Sequence, residues 1–221
     1  MFALIARWVP GLGVVFGALV VIAVLIEPGT PGKDAPDTEW VAYYADSGNR
    51  RKEEIAFLLV GLAGLCFLQF LGSLRGALAR AEGEPARITT AAVASGVAFI
   101  GIAIAAHAVG TVISWSKSYW ESNLTVDADT ARLLSSLSYL LYVTSLFAAA
   151  GMALATATVA LWMRALPAWL GWLSAIAALA GVLGILGLTG LVVLAWIVVL
   201  SAYLVWPRRP EPQAAPPSAP A

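Results

Sequence analysis

Charged residues are almost absent from six long apolar runs, at residues 9–26, 55–78, 88–115, 133–163, 168–186 and 188–206. Each run is near or above the roughly 18–20 residues that a helix needs to cross about 30 Å of hydrocarbon. The pattern predicts an all-α fold, a polytopic transmembrane helical bundle of six spans covering residues 1–206. Arg75 alone intrudes, near one end of its run. The fourth run is too long for the bilayer, so its helix starts near Asp127 or Asp129 and either projects or tilts. Between the fifth and sixth runs, Gly184, Gly187 and Gly190 flank Thr189 and predict a tight hairpin. Arg7 followed by the apolar stretch 11–26 resembles a signal peptide, but the run is long and Glu27-Pro28-Gly29 follows it without a small-residue cleavage site. It is read as an uncleaved span.

The polar segments carry two smaller patterns. Residues 27–54 form the longest one, an outer loop. Pro28, Gly29, Pro31 and Gly32 make its first half irregular. Asp37 is placed to cap a short amphipathic helix in which Trp40 and Tyr44, four residues apart, share a face. With Tyr43 they are the candidate lid, the alternative being a plain interfacial anchor. Residues 207–221 are rich in Pro and Ala and are read as a disordered tail. Small residues along the third run (Ala91, Ala92, Ser95, Gly96, Gly101, Ala105, Ala106, Gly110) predict a helix inside the bundle, since small residues let helix backbones approach closely in lipid.

Composition agrees with the pattern. The chain is 60% hydrophobic and 12% charged, and its mean hydropathy is +0.84. A soluble domain of this size lacks the polar surface to hide six helices that are apolar all round. Thirteen basic and thirteen acidic residues balance, so the charge points to no nucleic-acid partner. Charge placement suggests an orientation. With the N-terminus cytoplasmic, Arg7, Arg75, Arg80, Arg87, Arg164, Arg208 and Arg209 lie inside, and most acids lie outside. Both termini are therefore expected in the cytoplasm, with the chain in the inner (plasma) membrane; Arg50, Arg51 and Lys52 count against this. Trp8, Trp162, Trp169, Trp172 and Trp206 near one interface, and Trp40, Trp115 and Trp120 near the other, make an aromatic belt. Heavy use of Ala, Gly, Arg and Pro suits a bacterial source.

Candidate chemistry is sparse. The one cysteine, Cys66, has no partner for an intrachain disulfide, and no metal-ligand spacing or phosphate-binding glycine loop occurs. No metal or cofactor is therefore expected. An ionisable group at membrane depth is a functional candidate by default. The only histidine, His107, shares a helical face with Thr111 and Ser114. On the fourth run Ser135, Ser138, Tyr142 and Ser145 form one polar stripe. Counting about 1.5 Å per residue sets His107 and Tyr142 at similar depth. These seven residues define a candidate ligand pocket open to the outer face. The competing reading makes them interhelical hydrogen-bonding glue, and Gln69 is read the same way.

Three local patterns carry a resemblance. They are Val41-Ala42-Tyr43-Tyr44-Ala45-Asp46, then Phe70-Leu71-Gly72-Ser73-Leu74-Arg75-Gly76-Ala77-Leu78 with Ala81-Glu82-Gly83, then Leu166-Pro167-Ala168-Trp169-Leu170-Gly171-Trp172. In this order the chain resembles a family of small six-span bacterial membrane proteins classed as a domain of unknown function. The resemblance implies the six-helix architecture and no catalytic residues. Three functions follow as expectations. The first is a non-enzymatic accessory, sensor or structural subunit, in contact with lipids and forming a homo-oligomer or joining a partner membrane subunit. The second is a small-molecule or lipid carrier using the pocket. The third is a membrane-embedded enzyme, with Ser and His as nucleophile and base.

Overall fold

The computed structural model describes residues 9–32, 34–120, 123–184 and 189–206. Among them every regular element is helical. A short 3-10 turn, Val9–Gly11, leads into α1 (Leu12–Ile26). Then come α2 (Asp37–Ala45), α3 (Ser47–Glu82), α4 (Arg87–Trp115), α5 (Ala128–Trp162), α6 (Ala168–Val182) and α7 (Thr189–Val205). Four helical stretches are long and apolar enough to cross a membrane: Val9–Ile26, Ser47–Glu82, Arg87–Trp120 and Ala128–Trp162. The expected fifth and sixth spans appear as apolar helices of 15 and 17 residues. The hairpin glycine Gly187, the tail, and the interface residues Arg7 and Trp8 lie outside the described residues.

Helix ends follow local chemistry. Asp46 caps α3 by accepting from Gly48 N at 2.7 Å, and Asp127 caps α5 by accepting from Thr130 N at 2.9 Å. At the other end of α3, Gly83 takes φ +73°, a conformation that favours glycine. Glu82 then turns onto the start of α4, accepting from Ile88 N at 2.8 Å and Thr89 N at 2.7 Å. Asp37 departs from expectation. Pro36 holds the cap position of α2 without a side-chain bond, and Asp37 is the first helical residue. Its carboxylate instead pairs with Arg132 of α5 at 2.7 Å. The ion pair joins two segments that are distant in sequence, which no cap signal encodes.

Asp127 supports a pH prediction. The Thr130 backbone amide, and after it the Thr130 hydroxyl, hold its carboxyl below the usual carboxylate range. A depressed native pKa means that the stabilisation is present above the unfolded value and is lost as pH falls through the native one. The protection factor of amides in the first turn of α5, the intrinsic exchange rate over the observed one, should therefore fall on acidification, and Asp127→Asn, which keeps an acceptor without the titration, should flatten that response.

The core is built from aromatic and small residues. Phe67 touches Phe16, Phe70 and Phe99 with ring centroids 5.1, 6.0 and 5.4 Å apart. Gly13 and Gly17 of α1 let Ser201 and Val198 of α7 approach closely. Ser201 donates to Pro10 O and accepts from Val14 N, tying α7 to the start of α1. Trp196, the mid-span tryptophan, is buried and donates through Nε1 to Ser174 of α6 at 2.9 Å. Of the four long helical stretches, α5 is the most enclosed, more so than α4. The small residues of α4 divide between the two sides: Gly96 faces Leu71 and Met152, while a side chain at Gly101 would meet open space. Gln69 is likewise exposed on the outside of α3.

The lengths are unequal, and this shapes the molecule. At about 1.5 Å per residue, α3 and α5 reach about 50 Å, whereas α1, α6 and α7 reach only about 25 Å. The long helices therefore run past the short ones. At that end, α2 lies across the bundle with Trp40, Tyr43 and Tyr44 buried against Ile113 of α4 and Ala128 and Ala131 of α5. It is called the capped end below.

Candidate functional site

Two polar features meet near the capped end, and they are distinct. The first is a cleft of about 340 Å³. Its walls are Phe16, Val20, Val60, Phe99, Ile100 and Leu194, with Gly190 and Ser145 at one side. His107 from α4 and Tyr142 from α5 bring the aromatic polar groups. The mouth is rimmed by Val21, Val24 and Leu25 of α1 and Leu191 of α7, all of them exposed. The cleft lies where residues 16–25 of α1 and 190–197 of α7 run beside α4 and α5. Gly190 allows α7 to start against Tyr142: a Cβ there would collide with the Tyr142 hydroxyl.

The serine stripe on α5 does other work. Ser145 donates to Tyr142 O at 2.7 Å, and Ser138 donates to Ala106 O at 2.9 Å. Both hydroxyl protons are directed at main-chain carbonyls rather than at His107. Ser135 is half-buried and is not among the cleft walls. Of the seven expected pocket residues, then, His107, Tyr142 and Ser145 share the cleft. Thr111 lines a different, aromatic pocket one turn nearer the capped end. Ser114 belongs to the second polar feature.

That feature is a buried carboxylate. Glu53 of α3 is 3% exposed. Its Oε1 accepts from Tyr43 Oη at 2.7 Å, and its Oε2 accepts from Ser114 Oγ at 2.5 Å. One side chain thus fastens α2, α3 and α4 together. Tyr43 also reaches Pro28 O at 3.3 Å. Burial, and after it the hydrogen bond to Glu53, push the Tyr43 phenol far above its ordinary value, so it stays a donor at any physiological pH. Burial raises Tyr44 too, followed by the nearby Glu53 charge. Burial alone raises Glu27, where the chain leaves α1. Arg50 anchors the far end of α2 by donating to Tyr44 O and Ala45 O, each at 2.8 Å. A guanidinium there satisfies carbonyls that a helix end leaves open.

The expected lid residues therefore hold a strap in place and do not border the His107 cleft. Their aromatic rings point into a core shared with α4 and α5. Glu53 and its neighbour Glu54 fall in the polar segment before the second apolar run, and the sequence reading gives neither a role. A signal was present: Glu53, Ala56, Val60, Ala63, Phe67, Phe70, Leu74 and Leu78 recur at three- and four-residue steps, and all are buried. The buried face of α3 simply continues past the apolar run.

Among the described residues no group of three or more His, Cys, Asp or Glu side chains is gathered for a metal ion. No family model, curated protein or solved structure matches the chain.

Proposed function

We propose that this chain is a six-span integral membrane protein of the bacterial inner membrane that binds a lipophilic small molecule or lipid in the cleft around His107 and Tyr142. The carrying observation is the cleft itself: apolar walls, a volume of about 340 Å³, and two convergent polar rings. Small-molecule sites commonly combine a mostly apolar enclosure with a few placed polar groups. The rim of exposed aliphatic residues on α1 and α7 gives a tail-bearing ligand a route from the bilayer. Its polar end would meet the imidazole or the phenol. No catalytic step is assigned to the cleft, because Ser145 and Ser138 direct their protons elsewhere.

The capped end is placed outside and both termini in the cytoplasm. Arg75, Arg80, Arg87 and Arg164 then lie towards the inner side. The strongest contrary charge, Arg50, has a structural role at the end of α2, which weakens its weight as a topology signal.

A second reading, an accessory subunit, draws support from α3. Gln69 is exposed halfway along the helix, with Gly72 and Gly76 below it on the same side. Nothing within 4 Å would meet a side chain at Gly72. In lipid, an exposed amide beside closely approachable glycines favours a neighbouring helix.

One experiment addresses both readings: native mass spectrometry of the full chain released from nanodiscs made with bacterial lipid extract. The carrier reading expects an added mass that survives release, is lost in Ala103→Phe, which fills the cleft, and is weakened in His107→Leu with Tyr142→Phe. An added mass indifferent to all three changes, or none, sinks it. Peaks at whole multiples of the 23.1 kDa chain support the accessory-subunit reading.

A further inference from the structure

The aromatic pocket beyond the cleft has a volume of about 210 Å³. Phe57 of α3 forms one wall, and Trp115 and Trp120 form others. The Phe57 and Trp115 rings meet edge to face, with centroids 6.0 Å apart. Tyr119 lies over Trp115 at 4.8 Å. A π-helical turn, Ser116–Trp120, continues α4 and sets these rings side by side.

Next to this aromatic group sits Glu54, one helical turn before Phe57 and 6% exposed. Its Oε2 is 3.3 Å from Tyr119 Oη, a long hydrogen bond. Its Oε1 is buried and has no hydrogen-bond partner. The ion pairs among the described residues are formed by Arg132, and neither involves Glu54. Lys117 is directed at Leu124 O, 3.4 Å away. A buried carboxylate oxygen without a donor or a counter-charge is costly to maintain. Glu54 is not one of the pocket walls but is joined to the ring group through Tyr119, and π faces attract cations most strongly when the cation is poorly hydrated.

We propose that Phe57, Trp115 and Trp120 wall a binding site for an alkylated ammonium group, with Tyr119 and the Glu54 carboxylate standing next to it. The rings take the methyl-rich face of the cation, and the Glu54 carboxylate supplies the counter-charge. A small metal ion is a poor match, because aromatic walls do not replace its oxygen shell. A guanidinium or primary amine would want more hydrogen-bond acceptors than one carboxylate offers. The ammonium group has two possible sources, a free quaternary amine or a lipid headgroup. The site is separate from the His107 cleft and does not rest on the carrier reading.

The test uses the full chain, uniformly labelled with nitrogen-15, and follows the indole N–H resonances. Tetramethylammonium chloride is titrated into the detergent-solubilised protein against sodium chloride at equal ionic strength. The expected result is a saturable shift confined to the Trp115 and Trp120 resonances, assigned with Trp115→Phe and Trp120→Phe. Glu54→Gln, nearly the same shape without the charge, should weaken binding at least about fivefold. Trp120 is 76% exposed, so Trp120→Leu removes a wall with little risk to folding and should also weaken binding. A second arm compares nanodiscs of phosphatidylcholine with nanodiscs of phosphatidylglycerol, without added tetramethylammonium. The same shift in phosphatidylcholine identifies a headgroup as occupant; a shift with tetramethylammonium alone identifies a free cation. No saturable shift with either probe, or binding unchanged in both Glu54→Gln and Trp120→Leu, overturns the proposal and leaves the rings as interface anchors.

Discussion

Gly181→Val is expected to be the most damaging single change in the bundle. Gly181 sits on α6 where it crosses α5. A Cβ added there would lie 2.7 Å from Leu146 O, 2.9 Å from Ala150 Cβ and 3.1 Å from Ala150 N. Two of these atoms are main chain, so no rotamer change relieves the clash. The helices must separate, and overpacking of this kind costs about 1–3 kcal/mol, or more where backbone must move. Thermal unfolding in detergent should show a clear fall in midpoint for Gly181→Val. Gly101→Ala is the control, since a Cβ at Gly101 meets nothing within 4 Å. Equal midpoints for the two variants would show that α5 and α6 are not packed as described.

Glu53→Ala is expected to release the strap without dissolving the bundle. The alanine leaves the Ser114 hydroxyl buried at 0% exposure with its acceptor gone. Tyr43 keeps only its longer bond to Pro28 O. Each buried polar group left unsatisfied costs about 1–3 kcal/mol. The loss falls on α2, whose other attachments are the Trp40 and Tyr44 rings, the Arg132–Asp37 pair and the Arg50 bonds. Amide exchange in α2 should therefore accelerate far more than exchange in the middle of α3. Glu53→Gln offers one carbonyl oxygen and one amide donor, so it should retain most of the protection. If Glu53→Ala leaves exchange in α2 unchanged, the carboxylate is not what holds the strap.

These two positions show how unevenly the molecule could be read in advance. The cap of α5 was legible, because Asp127 at its start is a local signal. The pairing of Trp40 with Tyr44 on one face of α2 was also legible from a spacing of four. Gly181 was not singled out, because one glycine among the 20 in the chain carries no mark of what it faces. Glu53 carries no such mark either, because a charged residue beyond an apolar run reads as solvated. Only its partner Ser114, 61 residues away, makes it a buried acceptor.

The candidate site divides in the same way. His107 and Tyr142 were paired by depth, which a count of residues supplies, and both line one cleft. Ser114 and Thr111 were grouped with them by helical face, yet they serve the strap carboxylate and the aromatic pocket. The lid residues lie in the expected short helix, α2, and pack against α4 and α5.

Sequence alone determined the apolar helices, their approximate ends and the amphipathic character of α2. Those properties depend on desolvation and on hydrogen bonds within a few residues. Tertiary structure decided which faces meet, which residues line the cleft, and which carboxylates are buried. The reason is physical. Helices that are apolar all round carry no hydrophobic stripe to mark an inner face. Their packing depends on the fit of small residues against particular neighbours, as at Gly13, Gly96 and Gly181. That fit is a property of pairs of surfaces far apart in the chain.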